Sequence, residues 1–334
     1  MKALTMAAVV AACVSTAAMA ADKVTVQLDY IVRGDHAMFF VAKEKGYFAK
    51  QGIDVTAIQR GTGSSNAMRL VANGNAQFGF GDLPTLAVAR SQHVPVVALA
   101  AVNQHSPLVM IAIAKKHELK KPADLKGLNI GVQPSGSTYV FLKAFLAANH
   151  MSLSDIKQST VNPPYENYLL LGRVDAVPGY IDAEVPNLEA KAGGPGSLSI
   201  LQGSDFGYTV YGSGLFTSEE MIKDHSDLVK RFVKAYMQAF AYTIKNPKDA
   251  IDMIVKARPQ LKKVKGTLLK QLQEDIKATF FGPDTKAHGI GWMTKTKWEQ
   301  TTHILLSQKA MKTPIKVEDA FTDKYLAAAN PMKH

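Results

Sequence analysis

The chain has 334 residues, 47% of them hydrophobic, a single cysteine (Cys13) and a formal net charge of +11. One thiol excludes an intrachain disulfide or a multi-thiolate metal site, so stability must come from buried apolar cores, and the length suffices for two lobes. The lysines and arginines are scattered and no basic run is interleaved with aromatics, so the charge reads as a solvated surface and no nucleic-acid partner is expected.

Met1-Lys2, an apolar run over 3–18 and the small-x-small triplet Ala18-Met19-Ala20 read as a cleavable export signal over residues 1–20. A membrane anchor is the alternative, but Thr5, Ser15 and Thr16 interrupt a run that would need about 20 apolar residues to span a bilayer. Val10-Ala11-Ala12-Cys13 also loosely resembles a lipoprotein processing box. The expected location is the periplasm.

Residues 24–28 alternate at period two and predict a strand, and Phe39, Phe40, Val41 and Ala42 ahead of Gly46 predict a helix. Strands over 53–58, 76–80 and 96–101 follow, with helices over 66–73 and 83–91 between them. Strands alternating with helices imply a mostly parallel sheet covered on both faces, here a first lobe over 21–110. A strand over 108–114 precedes a second start of the same rhythm. It runs through a strand over 129–132, a helix over 138–149, a strand over 156–161, a helix near 167–171 and a strand over 176–180, giving a second lobe over 111–210. Gly193-Gly194-Pro195-Gly196 marks an exposed turn, and the extended stretch 208–216 is expected to carry the chain back to the first lobe, so that residues 211–334 add C-terminal helices there. Two crossings would form a hinge. Leu228, Val229, Phe232, Val233, Tyr236 and Phe240 stand at helical spacing and read as core. The expected fold class is thus α/β with two lobes and a helical C-terminal region.

Three kinds of local motif recur along this frame. They are Leu28-Asp29-Tyr30-Ile31-Val32-Arg33-Gly34-Asp35-His36-Ala37 with Lys45-Gly46-Tyr47-Phe48, then Gly74-Asn75-Ala76-Gln77-Phe78-Gly79-Phe80-Gly81-Asp82, then Asp124-Leu125-Lys126-Gly127-Leu128-Asn129-Ile130-Gly131-Val132 with Gly172-Arg173-Val174-Asp175-Ala176. Together they resemble the solute-binding proteins of bacterial ABC importers, in the branch that binds thiamine-pyrimidine precursors, riboflavin, sulfonates or taurine, and nitrate. The resemblance implies a type II periplasmic-binding fold and a monomer that captures a small molecule by hinge closure. It also implies delivery to an inner-membrane permease with its ATPase subunit, with no catalytic residue, metal or cofactor. The pyrimidine-precursor binders often carry a tryptophan after the first-strand aspartate and an aromatic-acid pair near the second-lobe carboxylate. Here those places read Asp29-Tyr30 and Tyr180-Ile181-Asp182-Ala183-Glu184. Some relatives are eukaryotic pyrimidine-synthesising enzymes with a cysteine-rich iron motif, which has no counterpart after Cys13.

Ligands of open α/β sheets bind beyond the carboxyl ends of the strands, where helix N-termini face the cleft. In the first lobe this selects Asp29, Tyr30, Asp35 and His36, the turn with Gly63, Ser64 and Ser65, and Asp82. In the second it selects Ser135, Gly136, Ser137 and Thr138, then Tyr165, and finally Tyr180, Asp182 and Glu184. Glycines admit close backbone approach, the hydroxyls donate or accept, and tyrosines stack a flat ring while bonding through the hydroxyl. Ser64 or Ser65 as a helix N-cap, N-capping by each acid, and capping by His36 are the structural alternatives. The acids outnumber Arg33 and Arg60 on this rim, which favours a neutral or amino-bearing heterocycle bonded by Asp29 and Glu184 from opposite lobes. An organic anion such as an alkanesulfonate, taurine, an aromatic carboxylate or nitrate is the alternative. A pyrimidine-synthesising or hydrolytic enzyme is the reading of another class, but there is no Walker loop, nucleophile elbow or His-Glu-x-x-His pattern.

Overall fold

The computed structural model describes residues 20–162, 164 and 166–329. Residues 1–19 of the expected export signal, Cys13 among them, and Tyr165 lie outside the described residues. Among the described residues ten strands are formed: β1 (Asp22–Gln27), β2 (Ile53–Gln59), β3 (Phe78–Asp82), β4 (Val96–Ala101), β5 (Leu108–Ile113), β6 (Asn129–Val132), β7 (Lys157–Thr160), β8 (Ala176–Tyr180), β9 (Leu198–Gln202) and β10 (Ser213–Ser218). They assemble into two five-stranded sheets, ordered β2-β1-β3-β10-β4 and β7-β6-β8-β5-β9.

Both sheets are mixed. β10 runs antiparallel to β3 and β4, and β5 antiparallel to β8 and β9, while the remaining neighbours are parallel. The reversed strand is in each case the first one after a crossing between sheets, over 102–107 or 203–212. Because the chain arrives at the cleft end of the sheet, its first strand must run away from the cleft, against the others. The two crossings are tied together by backbone hydrogen bonds from Asn103 N to Ser213 O (3.0 Å), Gly212 N to Asn103 O (2.9 Å) and Ser106 N to Val210 O (3.0 Å).

Strand β3, in the middle of the first sheet, and β4, beside β10 at its edge, are both buried along their whole length, as strands covered on both faces must be. Glycine is required in β3. A Cβ on Gly79 would lie 2.3 Å from the ring of Phe216, which β10 lays across it. On one face of the first sheet, the helices Ala37–Glu44 and Ser226–Lys245 pack aromatic side chains together, with Phe232 stacked on Phe78 at 3.6 Å between centroids and Phe39 against Tyr236 at 4.9 Å. The stripe read as core is therefore core, with Val229, Phe232, Val233, Tyr236 and Phe240 fully buried. On the other face, Leu83–Ser91 packs on Ser137–Ala148 and on Lys295–Ser307, so that Leu86, Phe141, Phe145, Trp298 and Leu305 share one apolar cluster spanning both sheets. After β10 the described chain is helical, and it closes with a single bridge from Phe321 to Ala98. No described helix is long and apolar enough to cross a membrane.

Candidate functional site

The loop after β1 turns sharply into a short 3-10 turn, Gly34–His36, and then the helix Ala37–Glu44. Gly34 is needed because a Cβ there would sit 2.5 Å from the backbone of Leu272, in the helix Lys265–Ala278. This loop folds Arg33 inward, where it is 5% exposed. Its Nη2 donates to Asp29 Oδ2 (3.1 Å), and its Nε pairs with Asp35 Oδ1 (2.8 Å). His36 Nδ1 accepts from the Arg33 amide (3.2 Å), which leaves the ring proton on Nε2, 3.0 Å from Asp29 Oδ1. Burial alone would raise Asp29, but the Arg33 charge and the His36 bond hold its carboxyl down at about 2. Both oxygens of Asp29 are thus engaged within its own loop. The Arg33 guanidinium lies 5.2 Å from the ring centroid of Tyr180, which belongs to the second sheet.

Two helices begin at the cleft without a side-chain cap. Gly63, with φ 141°, is the N-cap of Ser64–Ala72, and Gly136 is the N-cap of Ser137–Ala148. Neither Ser64 nor Ser65 takes the N-capping role that was the alternative to ligand binding for this turn. Gly63 holds that position because its amide donates to Asp29 O (2.6 Å) and because a Cβ there would lie 2.6 Å from Ser135 O across the cleft. Ser64 Oγ accepts from the Asp82 amide instead (3.2 Å). Asp82 does cap its helix, accepting at Oδ2 from the Thr85 amide (2.9 Å) and hydroxyl (2.6 Å). Its Oδ1 is buried without a hydrogen bond, and burial pushes this carboxyl up to about 7.

From the second lobe, Tyr180 OH bonds Ser137 Oγ (2.6 Å), and Glu184 Oε2 accepts from the Tyr180 amide (2.7 Å). Burial, reinforced by the nearby charge of Glu166, pushes the Glu184 carboxyl up to about 8. The lobes touch directly. Ser65 N donates to Ser135 O (3.2 Å), Gln133 Nε2 donates to Thr62 O, and Gln271 Nε2 donates to Ala183 O (2.8 Å). Asp182 is hydrogen-bonded to Asp275, whose Oδ1 accepts from Asn103 Nδ2 (2.8 Å) in the first crossing. Two buried carboxyls side by side cannot both ionise cheaply, so both are shifted upward.

Between the lobes lies a small cavity with about 20 Å3 of free space, walled by Asp29, Tyr30, Arg33, Gly63 and Ser64 on one side and by Gln133, Gly136, Ser137, Thr138, Tyr180 and Glu184 on the other. Asp35, His36 and Asp82 stand behind this wall, the first two fixing Arg33 and Asp29 and the third fixing a helix start. Ser65 and Ser135 form the seam where the lobes meet, and Asp182 lies at the separate seam with Asp275. Arg33 and Gln133 were not among the selected residues. The signal for Arg33 was its place between two acids, at four residues from Asp29 and two from Asp35. Nothing local marks Gln271 or Asp275. No cluster of three or more potential metal ligands occurs among the described residues.

The two mixed sheets, the paired crossings and a cavity between facing helix N-termini define a periplasmic-binding-protein architecture. Its likeness to solved structures agrees: a Candida albicans protein with the generic periplasmic binding protein fold superimposes with a TM-score of 0.68 at 14% identity, covering 90% of this chain and 96% of that one. The chain belongs to the NMT1/THI5-like family, which it matches over residues 33–250. It is 25% identical to the formylaminopyrimidine-binding protein of Halalkalibacterium halodurans, covering 91% of this chain and 90% of the relative. It is also 25% identical to the riboflavin-binding protein RibY of Chloroflexus aurantiacus, over 91% and 86% of the two chains. A 4-amino-5-hydroxymethyl-2-methylpyrimidine phosphate synthase of Saccharomyces cerevisiae is 26% identical over 73% of each chain.

Proposed function

We propose that this protein is the periplasmic solute receptor of an ABC importer. It closes two lobes over a single heteroaromatic ring of the pyrimidine type and passes it to a membrane permease driven by an ATPase subunit. The observation that carries this reading is the convergence, on one cavity between the lobes, of an aromatic face (Tyr180), two uncapped helix starts (Ser64 and Ser137) and a buried carboxyl (Glu184). The backbone amides of the helix starts can donate to ring nitrogens or a carbonyl, Tyr180 and Tyr30 can cover the ring faces, and Glu184 can meet an exocyclic amine. With the lobes together the cavity leaves about 20 Å3 of free space, room for about one water, so the lobes must part before any ring can enter.

The binding-protein relatives support capture over conversion, and so does the lack of any cysteine after Cys13, since the synthases resembled here use a cysteine-rich iron motif. The uncapped helix starts also favour a second reading, an organic anion such as an alkanesulfonate, taurine, an aromatic carboxylate or nitrate. Against that reading, the Arg33 charge is already offset by Asp29 and Asp35.

Titration calorimetry of the exported protein with 4-amino-5-hydroxymethyl-2-methylpyrimidine, riboflavin and taurine separates these readings. We expect the pyrimidine alone to bind, unchanged after recovery. Chemical conversion of the pyrimidine would replace the receptor reading with an enzyme, and tight binding of taurine alone would replace the ligand class.

A further inference from the structure

A second hollow, of about 260 Å3, adjoins the first and shares Tyr30, Arg33 and Glu184 as a common wall. Its far side is built by the C-terminal region, with Leu261, Val264 and Leu268 giving an apolar lining. The helix Lys265–Ala278 reaches both lobes here. Gln271 Oε1 accepts from the Gly34 amide (3.2 Å) in the first, while its Nε2 bonds Ala183 in the second. The compartment therefore exists only when the lobes are together.

One polar group in it is unspent. Glu166 is 5% exposed; its Oε1 accepts from Asn187 Nδ2 (2.8 Å), while Oε2 is buried and makes no hydrogen bond. Burial raises its carboxyl, and only its own amide, Lys191 and Asn187 work against that shift. A buried carboxylate oxygen left unbonded costs free energy, which a donor entering the compartment would recover. A hollow with an apolar lining, set against the wall of the first cavity and carrying an acid with one unbonded oxygen, fits the second part of a two-part ligand.

We infer that the second hollow is a subsite of the same cleft, which receives a flexible aliphatic arm borne by the ring and ending in an ammonium group that bonds Glu166. This rests on the pyrimidine-receptor reading above and extends it from a ring to a ring with an aminoalkyl tail. Glu166 selects for the positive, donor-bearing end. The apolar side chains of Leu261, Val264 and Leu268 select for the methylenes before it.

The test uses the mature protein and three kinds of probe: 4-amino-5-hydroxymethyl-2-methylpyrimidine, the same ring with its 5-substituent extended by two to four methylenes to an ammonium, and the matching chains ending in methyl. At the best length the ammonium probe should bind tighter than its methyl partner by about tenfold or more, the range of a buried hydrogen bond to a charged group. Glu166→Gln should collapse that ratio, in which any change shared by both probes cancels. Val264→Trp, which fills the compartment from its exposed side, should remove the advantage of both arms over the bare ring. If the bare ring binds and no arm improves on it, the subsite is refuted while the receptor reading stands. Equal affinity of ammonium and methyl arms, or a ratio that survives in Glu166→Gln, refutes the role of Glu166. Failure of every probe, the bare ring included, overturns both readings.

Discussion

Burial without neutralisation sets the behaviour of the site carboxyls. Asp29 has a fixed cation and a histidine donor, so it stays ionised, whereas Glu184 and Asp82 have a few hydrogen bonds and no cation in contact, so each holds a proton well above its usual range. Between 4.5 and about 8 the folded protein keeps a proton on Glu184 that the unfolded chain has released, and Asp82 does the same between 3.8 and about 7. The native state then binds more protons than the unfolded one, and stability falls as pH rises through this window. Asp29 acts in the opposite sense but only below 3.8, outside it. We expect the melting temperature of the ligand-free protein to drop by several degrees from pH 5 to pH 8.5. Glu184→Gln, which cannot ionise, should flatten that slope in a scanning fluorimetry series, and an unchanged slope would exclude Glu184 as its source.

At the scale of elements, the turns before the two cleft helices decide how closely the lobes can approach. Gly63 faces the backbone of Ser135 with no room for a methyl group, and its φ of 141° is one that side-chain-bearing residues rarely adopt. Gly63→Ala should therefore resist closure more than folding. Overpacking of this kind costs about 1–3 kcal/mol, equivalent to a loss of roughly fivefold to a hundredfold in affinity. Small-angle scattering should show the variant remaining extended at ligand concentrations that contract the wild type. A variant that contracts normally would show that the seam yields elsewhere.

Over the whole molecule, the apolar cluster does not respect the division between sheets. The helices Leu83–Ser91, Ser137–Ala148 and Lys295–Ser307 bury Leu86, Phe141, Phe145 and Trp298 in one continuous core behind the cleft, next to the crossings. Exposing either side would strip the other of its packing partners, so neither sheet has an independent stability. We expect one calorimetric transition, with a ratio of calorimetric to van't Hoff enthalpy of about one. Two resolved transitions would mean that the shared core contributes little.

The sequence by itself determined what depends on neighbours a few residues away. The helix Leu83–Ser91 and the strands Val96–Ala101 and Ala176–Tyr180 occupy the residues their patterns predict, because a capping acid, a proline at the helix start and short apolar runs bounded by polar turns act locally. The glycine turns at Gly63 and Gly136, and the Tyr180 to Glu184 segment, were legible for the same reason. Strand β9 carried no such mark: as a half-exposed edge strand it lacks the continuous apolar run of a central one. Strand β10 starts at Ser213, within the predicted extended stretch 208–216, because the first five of those residues are used in the crossing. Only the tertiary structure decided that β5 and β10 run backwards, that Arg33 is neutralised between two acids under Tyr180, and that Gln271 and Asp275 reach the cleft from more than 200 residues beyond the loop of Asp29. Those facts follow from where the chain enters each lobe and from which buried charges must find partners, and both are set by contacts between residues far apart in sequence.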